Sequence, residues 1–328
     1  MTDVRAMTVS LSLLLLCGAV VLWSLTTGDL RLGVDEVAAA LTGGEDRVTR
    51  TVVLTWRLPR AVAAVVFGAG LGVAGAVFQS LTRNPLAGPD VIGFSSGAYT
   101  GALMVIIGVG GGYLDVAAGA LAGGLATAVV VYLLAFRRGV QGFRLIVVGI
   151  GVSALLTAAN TWMLLRAQLE TAIAGAVWGA GSLNGIGWDR AAPACLATLS
   201  LLIVLRRFQP SLRILEMGAD TARALGVRVE GSRLVLLLTA VVITAAVTAA
   251  AGPIAFIALA APQIARRLTR GPGVTLTASA LTGALLLALA DHAAQHLMPQ
   301  VLPVGVVTVI AGGGYLVWLL IREQRRRS

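Results

Sequence analysis

The sequence predicts an all-α polytopic membrane protein with about ten transmembrane helices. Three observations carry this prediction. Apolar residues make up 57% of the 328 residues and charged residues only 12%, about half the usual share in a soluble domain. Uncharged stretches recur along the chain, most of them close to the roughly 20 residues that an apolar helix needs to cross a bilayer. The arginines collect in alternate links between those stretches. With a mean hydropathy of +0.89, the polar residues are too few to cover a soluble surface. Disorder, collagen and a disulfide scaffold are excluded as well, because glycine has no strict period and there are only two cysteines.

The first stretch, 6–28, follows Arg5 like a signal peptide, but it is long for one and lacks a clear small-residue cleavage site. It is read as a membrane helix that stays attached. Stretches 61–82, 91–114, 116–136 and 145–165 supply the next four spans. Residues 171–188 are uncharged too, but GAVWGAGSLNGIGW has too much Gly and Asn for a lipid-facing helix and is assigned a re-entrant or surface position. Stretch 191–205 is short, and Arg206 and Arg207 can snorkel at its end. Stretch 234–265 has 32 residues and contains Gly252-Pro253, so it is read as a helix, a break and a shorter helix. Stretches 271–290 and 293–321 complete the ten. Cys17 and Cys195 lie in spans as small hydrophobes.

All 25 basic residues are arginines, and the net charge is +10. Nucleic-acid binding is set aside, because the charges sit between long apolar spans. With the N-terminus inside, Arg31, Arg47, Arg50, Arg57, Arg60, Arg166 and Arg190 fall outside, and the other 18 of the 25, the pair Arg137 and Arg138 among them, fall inside. That bias favours both termini in the cytoplasm and an even number of crossings. Only 29–60 outside and 206–233 inside are long links, so residues 1–328 are read as one transmembrane domain with no soluble catalytic domain.

Two catalytic signatures are absent: a P-loop, which needs a lysine, and HExxH. GVGGG at 108–112 lacks the strand–helix context of a nucleotide loop. No compact metal-ligand cluster is visible, and the histidines are only His292 and His296. Charged groups are nearly absent inside the spans, with Asp291 the main exception; it is placed near the outer end of the ninth helix, where a helix-end or helix–helix hydrogen bond is favoured over a proton relay. Such scarcity of intramembrane charge argues against an ion-coupled secondary transporter. Gly68, Gly70, Gly72 and Gly75 suit closely packed helices.

The inside link is the most specific feature. Within LRILEMGADTARALGVRVEGSR (212–233), Ala219, Ala222, Leu225 and Gly226 follow spacings of about three and four along one side of a short helix. Gly226 is expected to end it and Gly231 to turn the chain into the next span. Two readings stand: this helix docks in a groove on a cytoplasmic partner, or it caps the bundle at the interface. In RNPLAGPD (83–90), Pro85 and Pro89 restrict the turn, and Asp90 is expected to cap the following helix.

Four blocks in order carry a family resemblance: WRLPRAVAAVVFGAGLGVAGAVFQSLTRNPLAGPDVIGFSSGA (56–98), ADTARALGV (219–227), AGPIAFIALAAPQIARRL (251–268) and LPVGVVTVIAGG (302–313). Over nearly its whole length the chain resembles the FecCD-type permease subunit of bacterial binding-protein-dependent ABC importers, which carry iron-siderophores, haem or vitamin B12. The resemblance implies a type II ABC importer permease fold in the bacterial cytoplasmic membrane, translocating a ferric siderophore or a related iron chelate. The implied partners are a second permease subunit, identical or not, two cytoplasmic ATPase subunits that use the ATP, and an extracytoplasmic substrate-binding protein; no cofactor is bound directly. Gly218, Ala219, Ala222, Leu225 and Gly226 would contact the ATPase, which decides between the two readings of the inside link in favour of docking. Arg57 and Arg60 match the family arginines that meet glutamates of the binding protein, with interfacial anchoring as their alternative role. Gln79, Ser80, Asn84, Asn160 and Gln263 are the polar candidates for the path, although a polar residue there can equally bond a neighbouring helix. The chain departs from the family pattern at Gln295, in place of an arginine, at Gln263 and at Gly314. A haem or vitamin B12 permease of the same fold remains the alternative.

Overall fold

The computed structural model describes residues 2–44, 46–90, 93–135, 142–271, 273 and 275–327. Among them every regular element is a helix. The chain runs α1 (Thr2–Thr26), α2 (Val34–Thr42), α3 (Arg47–Thr51), a π-helical segment (Val52–Arg57), α4 (Leu58–Thr82), α5 (Phe94–Gly108), α6 (Tyr113–Ala135) and α7 (Gly142–Arg166). It continues through α8 (Leu169–Gly179), α9 (Trp188–Glu216), α10 (Ala219–Ala224), α11 (Val229–Ala251), α12 (Ile257–Thr269), α13 (Leu276–His296) and α14 (Val304–Arg327).

Among the described residues, seven helical stretches are long and apolar enough to cross a membrane, and α5 and part of α14 are shorter apolar helices. The expected eighth span is the shortest, with α12 at 13 residues; at 1.5 Å per residue it covers about 20 Å of a hydrocarbon core of about 30 Å. Gly252 (φ 71°) ends α11 and residues 252–256 are not helical, so the break falls where Gly-Pro placed it. Cys17 and Cys195 are buried and free.

Two boundaries differ from expectation. The sixth span does not stop near 205: α9 continues through Arg206–Glu216, with Leu205, Leu212 and Leu215 buried against the core. Because α11 starts at Val229, the link between them shrinks to 217–228, and Gly231 lies inside a helix rather than at a turn. Asp90 does not cap α5 either. Gly93 (φ 85°) holds the cap position, and the Asp90 carboxylate accepts from Ser95 Oγ at 2.5 Å. Arg137 and Arg138 lie outside the described residues.

The outer half of α4 is longer than its apolar run. Arg47–Thr82 is one continuous helical stretch of 36 residues, about 54 Å at the α-helical rise. Asp46 starts it by accepting from the backbone N–H groups of Val48 and Thr49 at 3.2 and 3.3 Å. Pro59 cannot donate within the ladder, and one residue earlier the Leu58 N–H bonds Val53 O, five residues back. This shift releases Leu54 O, which accepts from the Trp188 indole at 2.8 Å. A functional π-turn is often of this kind.

Helix α4 is the centre of the bundle. Of its most apolar window 78% is buried within the chain, against 17% for α1 and α7, which leave their apolar faces for lipid or a partner. It packs on α13, α9, α11 and α12. Gly68 and Gly72 face Gly283 and the Ser279 carbonyl so closely that a Cβ at either would overlap α13 backbone. Helices α5 and α6 meet through a second such seam, Gly97 and Gly101 against Gly119 and Gly123. End contacts agree with alternating crossings. Arg5 Nε of α1 donates to Leu268 O of α12, Arg206 of α9 to Thr277 of α13, and at the opposite end Arg190 of α9 covers the Tyr113 ring of α6 at 4.0 Å.

Candidate functional site

At the arginine-poor end, two arginines one turn apart, Arg57 at the end of the π segment and Arg60 in α4, are both held. Arg57 donates from Nη1 to Leu25 O at 2.7 Å and from Nη2 to Leu30 O at 2.5 Å. Its fork thus ties the end of α1 and the chain beyond it to the π segment. Arg60 makes a bidentate pair with Asp291 of α13: Nε to Oδ2 at 2.9 Å and Nη2 to Oδ1 at 2.9 Å. The Asp291 side chain is 3% exposed and that of Arg60 15%. Gln295, one turn on, donates Nε2 to Asp291 Oδ2 at 2.9 Å, so the departure from arginine adds a neutral donor to the same carboxylate. Asp291 is therefore a helix–helix partner, and the acid available for ion coupling is neutralised. Both arginines, with Trp56 and Gln295, line an open recess of about 430 Å³.

At the arginine-rich end, Gly218 (φ 124°) turns the chain out of α9 into α10, and Gly226 (φ 80°) turns it out again. Both positions need the left-handed region that glycine tolerates. Helix α10 rests on α9 and α11. The expected common face divides: Ala222 is fully buried, Ala219 packs beside the core, and Leu225 is 59% exposed. Met217 is also exposed, so two large apolar side chains flank the short helix at the surface. Asp220 and Arg223 pair at 2.7 Å on its exposed side.

The inner end of α4 reaches the same place. Ser80 Oγ donates to Glu216 Oε1 at 2.8 Å, and Arg83 Nη2 donates to Glu216 O at 3.3 Å. Asn84 closes the next turn, its Oδ1 accepting from the Leu86 N–H at 2.9 Å. Burial pushes the Asp90 carboxyl above the usual carboxylate range, and the Ser95 hydroxyl opposes this.

The remaining polar candidates bond within the subunit. Gln79 Nε2 donates to Leu259 O at 2.9 Å, and Gln263 Nε2 donates to Pro85 O at 2.8 Å. Together they lock α12 to the inner half of α4 and to the turn that follows it. Asn160 of α7 accepts from Thr100 at 2.7 Å and donates to Ser96 O at 3.2 Å, both in α5. Asn160 also walls a groove of about 220 Å³ with Ser95, Tyr99, Thr157 and Thr161. Sequence reasoning missed those four. Hydroxyl residues in apolar helices usually bond their own backbone, as Thr161 does to Thr157 O, and only the pairing of α5 with α7 gathers them.

The long apolar helices make the chain a helical membrane protein, and its relatives are transport permeases. The chain belongs to the FecCD transport family, which matches residues 14–322. It is 50% identical over 324 residues to the ferric enterobactin transport system permease protein FepG of Escherichia coli (strain K12), with 98% of each chain covered. It is 38% identical to the achromobactin transport system permease protein CbrC of Dickeya dadantii (strain 3937), over 96% of this chain and 91% of that one. Its fold matches a solved structure described as an inward-facing conformation of a metal-chelate type ABC transporter, with a TM-score of 0.85, 26% identity and coverage of 96% and 99%.

Proposed function

We propose that this chain is the permease subunit of an ABC importer that carries a ferric siderophore across the cytoplasmic membrane, with both termini in the cytoplasm. The observation that carries the substrate class is the 50% identity to a ferric enterobactin permease along 98% of both chains. The subunit pairs with a second permease subunit. ATP is hydrolysed by two cytoplasmic ATPase subunits, and the chelate is delivered by an extracytoplasmic binding protein; the chain itself holds no cofactor.

Each end of the molecule supports one contact. Met217 and Leu225 offer exposed apolar groups to a groove on the ATPase, with Gly218, Ala219, Ala222 and Gly226 shaping the turn that presents them. Arg57 and Arg60 offer guanidinium groups, already fixed by internal partners, to carboxylates of the binding protein. The path runs along the groove of Ser95, Tyr99, Thr157 and Thr161, with Asn160 in its wall. Gln79, Ser80, Asn84 and Gln263 serve it indirectly, by holding the inner ends of the helices together.

The test is to co-purify the complex in lipid and measure ATP hydrolysis stimulated by the binding protein loaded in turn with ferric enterobactin, ferric citrate, a ferric hydroxamate and cobalamin. Stimulation by an iron–siderophore chelate is expected. Stimulation by cobalamin alone, or by no iron chelate, overturns the substrate class.

A further inference from the structure

Glu216 is the last residue of α9 and stands immediately before the turn into α10. Its side chain is held by Ser80, which is 7% exposed, and its carbonyl by Arg83, the residue that ends α4. A third element closes on it: a Cβ at Gly273, in the link from α12 to α13, would stand 2.9 Å from Glu216 Oε2. The inner end of α4, the root of the projecting turn and the α12–α13 link thus meet at one carboxylate.

From there α4 runs without interruption to the opposite surface. It is continuous from Arg47 to Thr82, it is backed along its middle by α13 through Gly68, Gly72 and Gly283, and it is bolted to α13 at the far end by Arg60 and Asp291. A helix pair in backbone contact and pinned at its far end moves as a body, since close-packed interiors deform little. Coupling between distant sites needs such a contiguous element whose position both sites bias. At the inner end, the Ser80–Glu216 hydrogen bond and the contact of Arg83 with the Glu216 carbonyl join it to the turn.

We propose that Glu216 is a positioning residue for transport: through Ser80 and Arg83 it transmits displacement of α10 to the α4–α13 pair, and so links the ATPase contact to the recess on the other surface. The proposal rests on the importer reading above. The Ser80–Glu216 bond is a hydroxyl donating to a carboxylate in a partly buried setting, stronger than a neutral pair. That suits a joint that must carry force in one geometry.

The test compares Ser80→Ala, Glu216→Ala and Glu216→Gln with the wild-type complex in proteoliposomes, using the binding protein loaded with ferric enterobactin, and reads chelate transported per ATP hydrolysed beside the unfolding temperature. Glu216→Gln keeps a carbonyl oxygen for Ser80. Both alanine variants are expected to retain the ATPase subunits and basal hydrolysis but to lose about fivefold or more in the transport ratio, with Glu216→Gln within about twofold of wild type. Should Glu216→Ala fail to assemble, Ser80→Ala carries the same expectation alone. A merely structural bond would lower the unfolding temperature and leave the ratio unchanged, which overturns the proposal. Leu225→Asp separates the two levels. If it uncouples transport while Ser80→Ala and Glu216→Ala do not, the joint alone is wrong; if all three stay coupled, the docking reading falls with it.

Discussion

The two ends of α4 face their surroundings in opposite ways. At the arginine-poor end a recess of about 430 Å³ is lined by cations whose donors are already directed, Arg57 to backbone carbonyls and Arg60 to Asp291. At the arginine-rich end a six-residue helix projects, flanked by Met217 at 67% and Leu225 at 59% exposure. One end is built to receive a polar group and the other to insert an apolar one. Charge at a bilayer surface is inexpensive to expose, so it can wait for a transient partner in water. Exposed apolar side chains are costly to leave uncovered and suit a contact kept through many cycles.

The largest effect should come from breaking the projecting end. Leu225→Asp places a charge where the partner groove would bury an apolar group, and a central contact of this sort is worth about 2 kcal/mol or more. Chelate transport should fall on the order of thirtyfold, while insertion and unfolding temperature stay as in wild type, because Leu225 makes little contact within the chain. Transport at the wild-type rate would remove α10 from the docking surface and leave the ends without their contrast.

The receiving end should instead fail from within. Asp291→Ala strands the Arg60 guanidinium in a partly buried site, and breaking such a pair costs about 3–5 kcal/mol. The expected result is a clear drop in unfolding temperature in detergent, part of which returns in the double variant Arg60→Ala/Asp291→Ala, since the charge is then gone with its partner. An Asp291→Ala protein as stable as wild type would show that the pair does not hold α4 on α13.

How far the sequence disclosed all this depends on the range of the interaction. The spans were legible because lipid demands long apolar runs, and the break in 234–265 because Gly252-Pro253 cannot continue a helix. The end of α9 was not, since Arg206–Arg213 look like a loop until Leu212 and Leu215 are seen buried. The turn at 218–226 was legible through its glycines. Which of its side chains face outward was not: six residues make under two turns, so periodicity fits more than one docking on α9 and α11. The π segment, the Arg60–Asp291 pair and the polar groove each require partners more than 50 residues apart in sequence, 231 in the case of that pair, and no local pattern announces them.

The smallest expected effect sharpens the contrast most. Arg57 bonds two carbonyls, Leu25 O and Leu30 O, with the two arms of one fork. A lysine is a point charge and cannot serve both in that geometry. Arg57→Lys should therefore lose about 1 kcal/mol of stability but keep its charge beside the recess. If long-range attraction draws the binding protein to this end, its association rate and salt dependence should remain within about twofold of wild type. Arg57→Gln, which removes the charge and retains some hydrogen bonding, should slow association and flatten its dependence on salt. A tenfold slower association for Arg57→Lys would show that the fixed direction of the guanidinium, and not its charge, does the receiving. The two ends of α4 would then share one principle, a group held rigidly by the fold and offered to a partner.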